Sequence, residues 1–379
     1  MNDSGLSLPA FAHTPVPAMH VFYEFWTAAV SWLAGHAIVP ALAALHLTAY
    51  VLQPREIAQY FLLTAMQVAI IAFVFRPLES LWPAEHWPDR RITVIDRSYT
   101  LIKLFGVLPL FTYLVLTPLF GGGGDDDAAG LVSVQGMLPW LGHHPVLLFV
   151  VYYAIYDLVY YLIHRLQHMI PWWWALHSLH HSQRQLSCWS NDRDHYLDDL
   201  LEALIVAGVS LLIGVSPTDF ALLVLSGELL QNLGHTNVRL RFGPVLEKVL
   251  VDPRYHRLHH MRVDPQRPQL HACNYAFIFP LWDILFGTAL FGEPAHPTGV
   301  GDPMVDADNQ RGIVAQQLVT LRRFWGAFRR RAGWRYGEVA FNVNYEPVSV
   351  KDFDLHELES NHIPLAAESP STRAVEPVR

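Results

Sequence analysis

The stretch "HRLQHMIPWWWALHSLHH", residues 164–181, decides how the rest of the chain reads. It sets five imidazoles among eighteen residues, in a chain of 379 residues that is 52% hydrophobic and only 16% charged. His164 and His168 are four apart and share a helix face. His177, His180 and His181 follow at i, i+3 and i+4, one stripe if helical. The pattern returns at "HRLHH" with His256, His259 and His260, and between them "QNLGH" puts Gln231 four residues before His235. A single pair at helical spacing is more often a satisfied core or interfacial pair than a ligand pair, and it is the recurrence that points to metal. Imidazole is a borderline ligand that suits zinc, iron, copper or nickel, and one ion takes only about four to six ligands. Converging histidines in this number therefore imply two ions.

The composition, with its positive mean hydropathy, is that of a membrane protein. Uncharged apolar runs extend over residues 25–54, 57–75, 104–124 and 128–156, each long enough to cross, since a spanning helix needs about 20 residues. A shorter pair, 200–215 and 220–234, reads as a hairpin that crosses or re-enters the bilayer and turns at "GVSPTD". The expected fold class is all-α, a polytopic membrane helical bundle with a histidine-rich di-metal cap. The first run starts late and lacks a basic lead, so it is expected to be retained rather than cleaved. Two cysteines, Cys188 and Cys273, offer no disulfide framework and no paired-cysteine metal motif. The formal charge of −8 decides little, and no nucleic-acid partner is expected.

Arg76, Arg90, Arg91, Arg97 and Lys103 are expected in one loop and "GGGGDDD", 121–127, in the next, so the positive-inside rule puts the first loop in the cytoplasm. Alternation then brings every dense histidine group to the cytoplasmic face. The stretch "LRRFWGAFRRRAGWR" reads as a basic, aromatic helix on the inner leaflet, followed after Gly337 by a polar tail. The tryptophans 172–174 read as a headgroup-level anchor for the histidines behind them. Outside the groups, His36, His46, His143 and His144 read as structural or interfacial, and "HELES" at 356 lacks the second histidine of a zinc-protease helix. Asp157 is an even choice between a ligand-orienting carboxylate and a solvated acid.

Taken together, these residues resemble the membrane fatty acid hydroxylase and sterol desaturase superfamily. That family's pattern is His-x-x-x-His, His-x-x-His-His, a later interior histidine and a final His/Gln-x-x-His-His. It is matched by His164/His168, His177/His180/His181, His235 and His256/His259/His260. "RDHYLD", with Arg193, His195 and Asp198, resembles the family's Arg-x-His-Pro-hydrophobic-Glu, with Tyr196 in place of proline and Asp198 in place of glutamate. "NYAFIFPLWDILFGT", from Asn274 through Asp283 to Thr288, resembles its Asn-Tyr-Gly…Trp-Asp-x-x-Phe-Gly-Thr segment, with Ala276 in place of glycine. The resemblance spans roughly residues 145–290.

It implies a non-haem di-iron centre, two Fe ions with zinc possible after overexpression, that uses O2 and external electrons to hydroxylate or desaturate a membrane lipid of sterol or fatty-acyl type. The nine pattern histidines would be the metal ligands and catalytic residues. His195 stands between ligand and supporting residue, His271 is unassigned, and Asp157, Gln231, Arg193, Asn274 and Asp283 would support the ligands. The organisation implied is a transmembrane region at 1–130, a catalytic domain at 131–300 and a cytoplasmic helix and tail at 301–379. No Gly-x-Gly-x-x-Gly after a strand, cysteine cluster or fused haem motif is present, so a separate reductase or carrier is expected. Arg239, Arg241, Lys248 and Arg254, with Arg329–Arg331, are candidates for docking it. The competing readings are a histidine-rich metal-binding or transport protein and an intramembrane metal hydrolase. Transport predicts ionisable residues spread along the spans, and hydrolysis a carboxylate base in a recognisable motif.

Overall fold

The computed structural model describes residues 17–48, 53–87, 89–120, 132–215, 217–262, 273–294, 297–300 and 302–329. Its regular structure is helical, and the described residues form no strand beyond two isolated bridges. Four helices are long and apolar enough to cross a membrane: α1 (Glu24–Ala44), α2 (Pro54–Leu81), α3 (Ile92–Leu116) and α4 (Pro145–Met169). Their outer faces carry unpaired apolar side chains, Phe73 and Val146 among them, as expected where the surroundings are lipid.

The spans begin and end differently from the apolar runs. α2 continues through Arg76, and α3 starts at Ile92, so Arg97 and Lys103 lie within helices rather than in a loop. Only Arg90 and Arg91 remain in the connection. The reason is local: Lys103 is buried, with Nζ 2.8 Å from Asp199 and 3.3 Å from Asp192, so its charge is matched inside the bundle and need not end the helix. The helices also tolerate interior prolines. π-helical turns at Ala34–Ile38, Ile71–Phe75, Lys103–Val107 and Thr112–Leu116 stand just ahead of Pro40, Pro77, Pro109 and Pro118. A proline lacks its N–H and clashes with the carbonyl four residues back, and the widened turn absorbs both. α4 starts at Pro145, later than the run that suggested it. Ahead of it stand a short helix, Val134–Met137, and a 3₁₀ turn, Pro139–His143.

α5 (Pro171–His181) turns back from α4 after one extended residue, Ile170. The expected hairpin forms as α6 (Tyr196–Ile213) and α7 (Pro217–Gly234), α6 closing on Gly214 at φ 74°, a left-handed conformation that suits glycine. α8 (Pro253–His259) is capped by Asp252, whose carboxylate accepts from Tyr255 N. After it come α9 (Leu281–Phe286) and α10 (Ile313–Arg329).

Two expectations change. The tryptophans are not an interfacial belt: Trp173 and Trp174 are buried, and Trp172 packs against Phe324 and Phe328 of α10. α5 is enclosed by α4, α6 and α10, so its aromatic turn is core. α10 likewise does not stand apart. It buries Gln316, Thr320, Arg323, Phe324 and Ala327, packs Phe324 and Ala327 on Ala175 and Leu176, and ties Arg323 to Asp308 at 2.5 Å. Its opposite face, with Val314, Leu318, Trp325 and Phe328, is exposed. The 121–127 loop, His271, Arg330, Arg331 and the segment after Gly337 lie outside the described residues.

Candidate metal centre

Four elements deliver the histidines to one place. α4 supplies His164 and His168 from its last turns, α5 supplies His177, His180 and His181, and the end of α7 presents His235. α8 contributes His256 and His259, and its capping residue is His260. The side chains sort into two sets. His164, His168, His177, His181 and His259 form one and His180, His235, His256 and His260 the other, the donor atoms in each lying within 4.8 Å of one another. That is close to the roughly 4 Å spanned by opposite ligands each about 2.1 Å from an ion. Every one of the nine histidines named from the sequence is in one set or the other.

The hydrogen bonds outside the sets fix which nitrogen faces inward. Nδ1 of His164 lies 2.8 Å from the carbonyl of Tyr275, Nδ1 of His259 2.9 Å from that of Cys273, and Nδ1 of His235 2.8 Å from that of Gln231. A carbonyl can only accept, so each Nδ1 carries the proton and each Nε2 an inward lone pair. Across the centre, Nε2 atoms stand 3.1 Å apart in His235/His180 and His259/His181, 3.0 Å in His256/His235 and 3.2 Å in His260/His256. Facing lone pairs repel unless a cation lies among them. The donor set therefore fits metal ions, and all-nitrogen ligation suits iron or zinc more than magnesium or calcium. Burial, with the neighbouring imidazoles adding to it, holds His180, His181, His256, His259 and His260 well below the ordinary histidine range, so they are neutral and able to ligate.

The supporting residues have clear places. Asp198 accepts from Gln167 at 3.0 Å and from the Trp173 indole at 2.6 Å on one oxygen, and its other oxygen is 3.3 Å from Nδ1 of His177. Asp194 lies 3.1 Å from Nδ1 of His180. Its carboxyl is pushed up to about 7 by burial, against the lowering effect of Lys103. Asp157 orients no imidazole directly. It takes the backbone N–H groups of Ile278 and Phe279, while Asp283 takes those of Tyr275 and Ala276 with the hydroxyls of Tyr255 and Thr288. Asn274, at φ 58°, bonds the Tyr255 and Leu290 carbonyls.

These three residues therefore hold one non-helical segment, 273–279. Alternate carbonyls of that segment, at Cys273, Tyr275 and Phe277, accept from His259, His164 and the Gln231 side chain. The "NYAFIFPLWD" signature is thus a backbone rail for two ligands and Gln231. Arg193 is fully buried and donates to Ser182 and Asn309, tying the end of α5 to the segment before α10.

His195 lies outside both histidine sets. Its Nδ1 accepts from Leu197 N at 3.1 Å, capping α6, and its Nε2 is left to donate to the Gln317 carbonyl of α10 at 3.1 Å. Both nitrogens are committed, which assigns it to structure. His36 stacks on Trp32 and His144 precedes α4, both exposed and far from the centre in the chain. Sequence reasoning missed Asp194 and Lys103 as supporting groups. Their signal is the helix-period spacing of Asp194, Asp198 and Glu202, which gathers carboxylates on one face beside an apolar run.

Residues 149–288 match the family model described as fatty acid hydroxylase. Curated relatives match over much the same region. Alkylglycerol monooxygenase of Danio rerio is 33% identical over 132 residues, 35% of this chain and 28% of its own length. The Xenopus tropicalis protein of that name is 30% identical over 173 residues, 44% and 36% of the two chains. The human one is 30% identical over 151 residues, 40% and 32%. The chain thus spans about a quarter to just over a third of the length of these relatives. No solved structure gives a significant match. With its nine histidines in place and these matches over the same residues, the segment 149–288 is that of the fatty acid hydroxylase and sterol desaturase superfamily.

Proposed function

We propose that this chain is an integral-membrane oxygenase that uses O2 and external electrons to insert oxygen into a lipid, with two iron ions held by the two histidine sets. The observation that carries the reading is the inward convergence of lone-pair nitrogens in two adjacent sets. Bound there, the metals would supply the activation of O2 needed to oxidise an unactivated carbon. The chain's own residues orient the imidazoles through the 273–279 carbonyls and Asp198, and they exclude water by burying the ligands. The names of the relatives favour an ether lipid of alkylglycerol type as substrate over the sterol or fatty-acyl type expected from the superfamily alone.

The clustering of the histidines at one end of the bundle favours this over a transport pathway, and the carboxylates grouped with His177, Asp194 and Asp198, face the Nδ1 atoms of His180 and His177 and belong to no hydrolase motif. Electrons would come from a separate carrier. Arg239, Arg241 and Lys248 are exposed beside the centre and offer it a basic dock, facing the cytoplasm if the positive-inside rule holds. The test is purified protein loaded with ferrous iron, supplied with a 1-O-alkylglycerol, O2, a nicotinamide and a carrier. Oxygenated lipid formed only with all components supports the reading, and none formed with two irons per chain refutes it. Zinc found after overexpression leaves the native metal open, because affinity alone favours zinc over ferrous iron.

A further inference from the structure

α4 gives a scale of depth. From Pro145 to Arg165 it covers about 30 Å at about 1.5 Å per residue, the thickness of a bilayer's hydrocarbon core. Val146, Val150 and Leu162 are exposed along it, so its apolar outer surface reaches to within one turn of Arg165. Against this helix lies a segment more than a hundred residues further along the chain. The Phe279 ring meets Tyr153 edge-on at 5.6 Å, Ile278 N and Phe279 N donate to Asp157 at 2.7 and 3.0 Å, and Phe286 stacks on Tyr161 at 5.3 Å. Tyr161 stands about 6 Å and Tyr153 about 18 Å from the level of Arg165. α9 therefore runs beside α4 within the span, from near its middle toward the histidine end.

The side chains of α9 suit that depth. Leu281, Ile284 and Leu285 recur at helical spacing and are 46%, 45% and 64% exposed, with Phe286 at 49%. Asp283, the helix's only charged residue, is fully buried against Tyr255, Tyr275, Ala276 and Thr288. The backbone before α9 is non-helical, and such backbone is tolerated at membrane depth only where protein satisfies its polar groups. Tyr275 N and Ala276 N are taken by Asp283, and Ile278 N and Phe279 N by Asp157. The carbonyls of Tyr275, Phe277 and Ile278 accept from His164, the Gln231 side chain and Val251 N. Water would serve the same groups on an exposed loop. Two fully buried carboxylates devoted to four amides mark a place that water does not reach.

We propose that residues 277–286 re-enter the bilayer and that the outer face of α9 is covered by lipid acyl chains. The occupant follows from continuity, since Phe286 rests on the residue beside the exposed Leu162 and α9 extends the apolar surface of α4 with uncharged side chains. The Tyr275 carbonyl that orients His164 is then two residues from lipid-embedded chain, so the bilayer supports the rail on which the ligands rest. The inference stands apart from the oxygenase reading, because position in a bilayer is measured without turnover.

The experiment uses the full chain in phosphatidylcholine nanodiscs, loaded with zinc so that the metal is diamagnetic. Nitroxides are attached at Leu281→Cys and Leu285→Cys, at Leu162→Cys as the lipid reference and at Lys248→Cys as the water reference. Cys188 and Cys273 are buried and should stay unlabelled, which the unsubstituted chain checks. Relaxation of each label by O2, which concentrates in lipid, is compared with relaxation by a water-soluble nickel chelate. On α9 the ratio of oxygen to chelate contact should match that at Leu162 and be several times that at Lys248. It should be higher at Leu281 than at Leu285, because Leu281 lies deeper. Both substitutions remove only exposed apolar surface, so the fold should persist, and zinc content equal to that of the unsubstituted chain verifies it. A ratio like that of Lys248 places α9 in water and overturns the proposal. Little contact with either probe places a second copy or another protein on the face and overturns it as well, and a reversed order of Leu281 and Leu285 removes the re-entry.

Discussion

Asp198→Asn replaces one oxygen by an NH2 group at a buried position where every contact is specified. One Asp198 oxygen accepts two donors, from Gln167 and Trp173, and the other faces Nδ1 of His177. The asparagine oxygen stays with the two donors, because the flipped amide would set its NH2 against both of them. The NH2 then points at Nδ1 of His177, which must accept instead of donate. The imidazole proton moves to Nε2, the nitrogen that has no protein partner, and the lone pair meant for the metal is lost. Removing a carboxylate behind a ligating histidine costs about 10- to 100-fold in metal affinity, which is about 1.4–2.7 kcal/mol at about 1.4 kcal/mol per tenfold. The assay is chelator competition on purified protein, with metal per chain by elemental analysis and melting of the metal-free form as control. Unchanged affinity in a variant whose metal-free melting matches the wild type would sink the tautomer argument.

Further outcomes follow from the same geometry. His259→Ala should remove activity and lower metal content while membrane insertion persists, whereas His144→Ala should be mild; equal damage would undo the division of the histidines. The metal-free protein should lose stability on acidification. Its buried histidines bind protons less readily folded than unfolded, so the unfolded state gains protons first as pH falls below about 6.5, and melting points measured from pH 8 to 5 should fall from there down. Arg323→Met should cost about 3 kcal/mol by leaving the buried Asp308 only its longer pairing with Arg311 at 3.6 Å, and a melting point unchanged by it would refute the role of that pair in seating α10. If the basic patch docks the electron carrier, Arg239→Glu with Arg241→Glu should slow carrier-dependent turnover and flatten its dependence on ionic strength; identical salt profiles would remove the patch from the account.

The ligands were legible because helix geometry turns a spacing of three or four into a shared face, and each histidine group sits on or at the end of a helix. Their supports were not, because they are backbone carbonyls. The quoted signature around Asn274 and Asp283 marks the segment, but nothing in it says that Cys273 and Tyr275 would turn their oxygens to His259 and His164. The tryptophans misled because an aromatic run beside polar residues looks the same at a membrane interface as in a helix enclosed on three sides. Lys103 and Arg97 misled for a different reason: a charge in an apolar run normally ends a span, and only the buried Asp199 and Asp192, about a hundred residues away in sequence, allow α3 to continue.

The two histidine sets are interleaved on shared scaffolding. α5 sends His177 and His181 to one set and His180 to the other, and α8 sends His259 to one and His256 to the other, with His260 beside it. With an ion in each set, as proposed, each short helix would serve two coordination spheres. An ion entering either sphere fixes the rotation of both helices and so orders the donors of its neighbour, which then binds with less conformational entropy left to lose. Occupancy should accordingly be cooperative, with singly loaded chains scarce at half saturation, and metal loading of the chain would resemble a switch more than a titration.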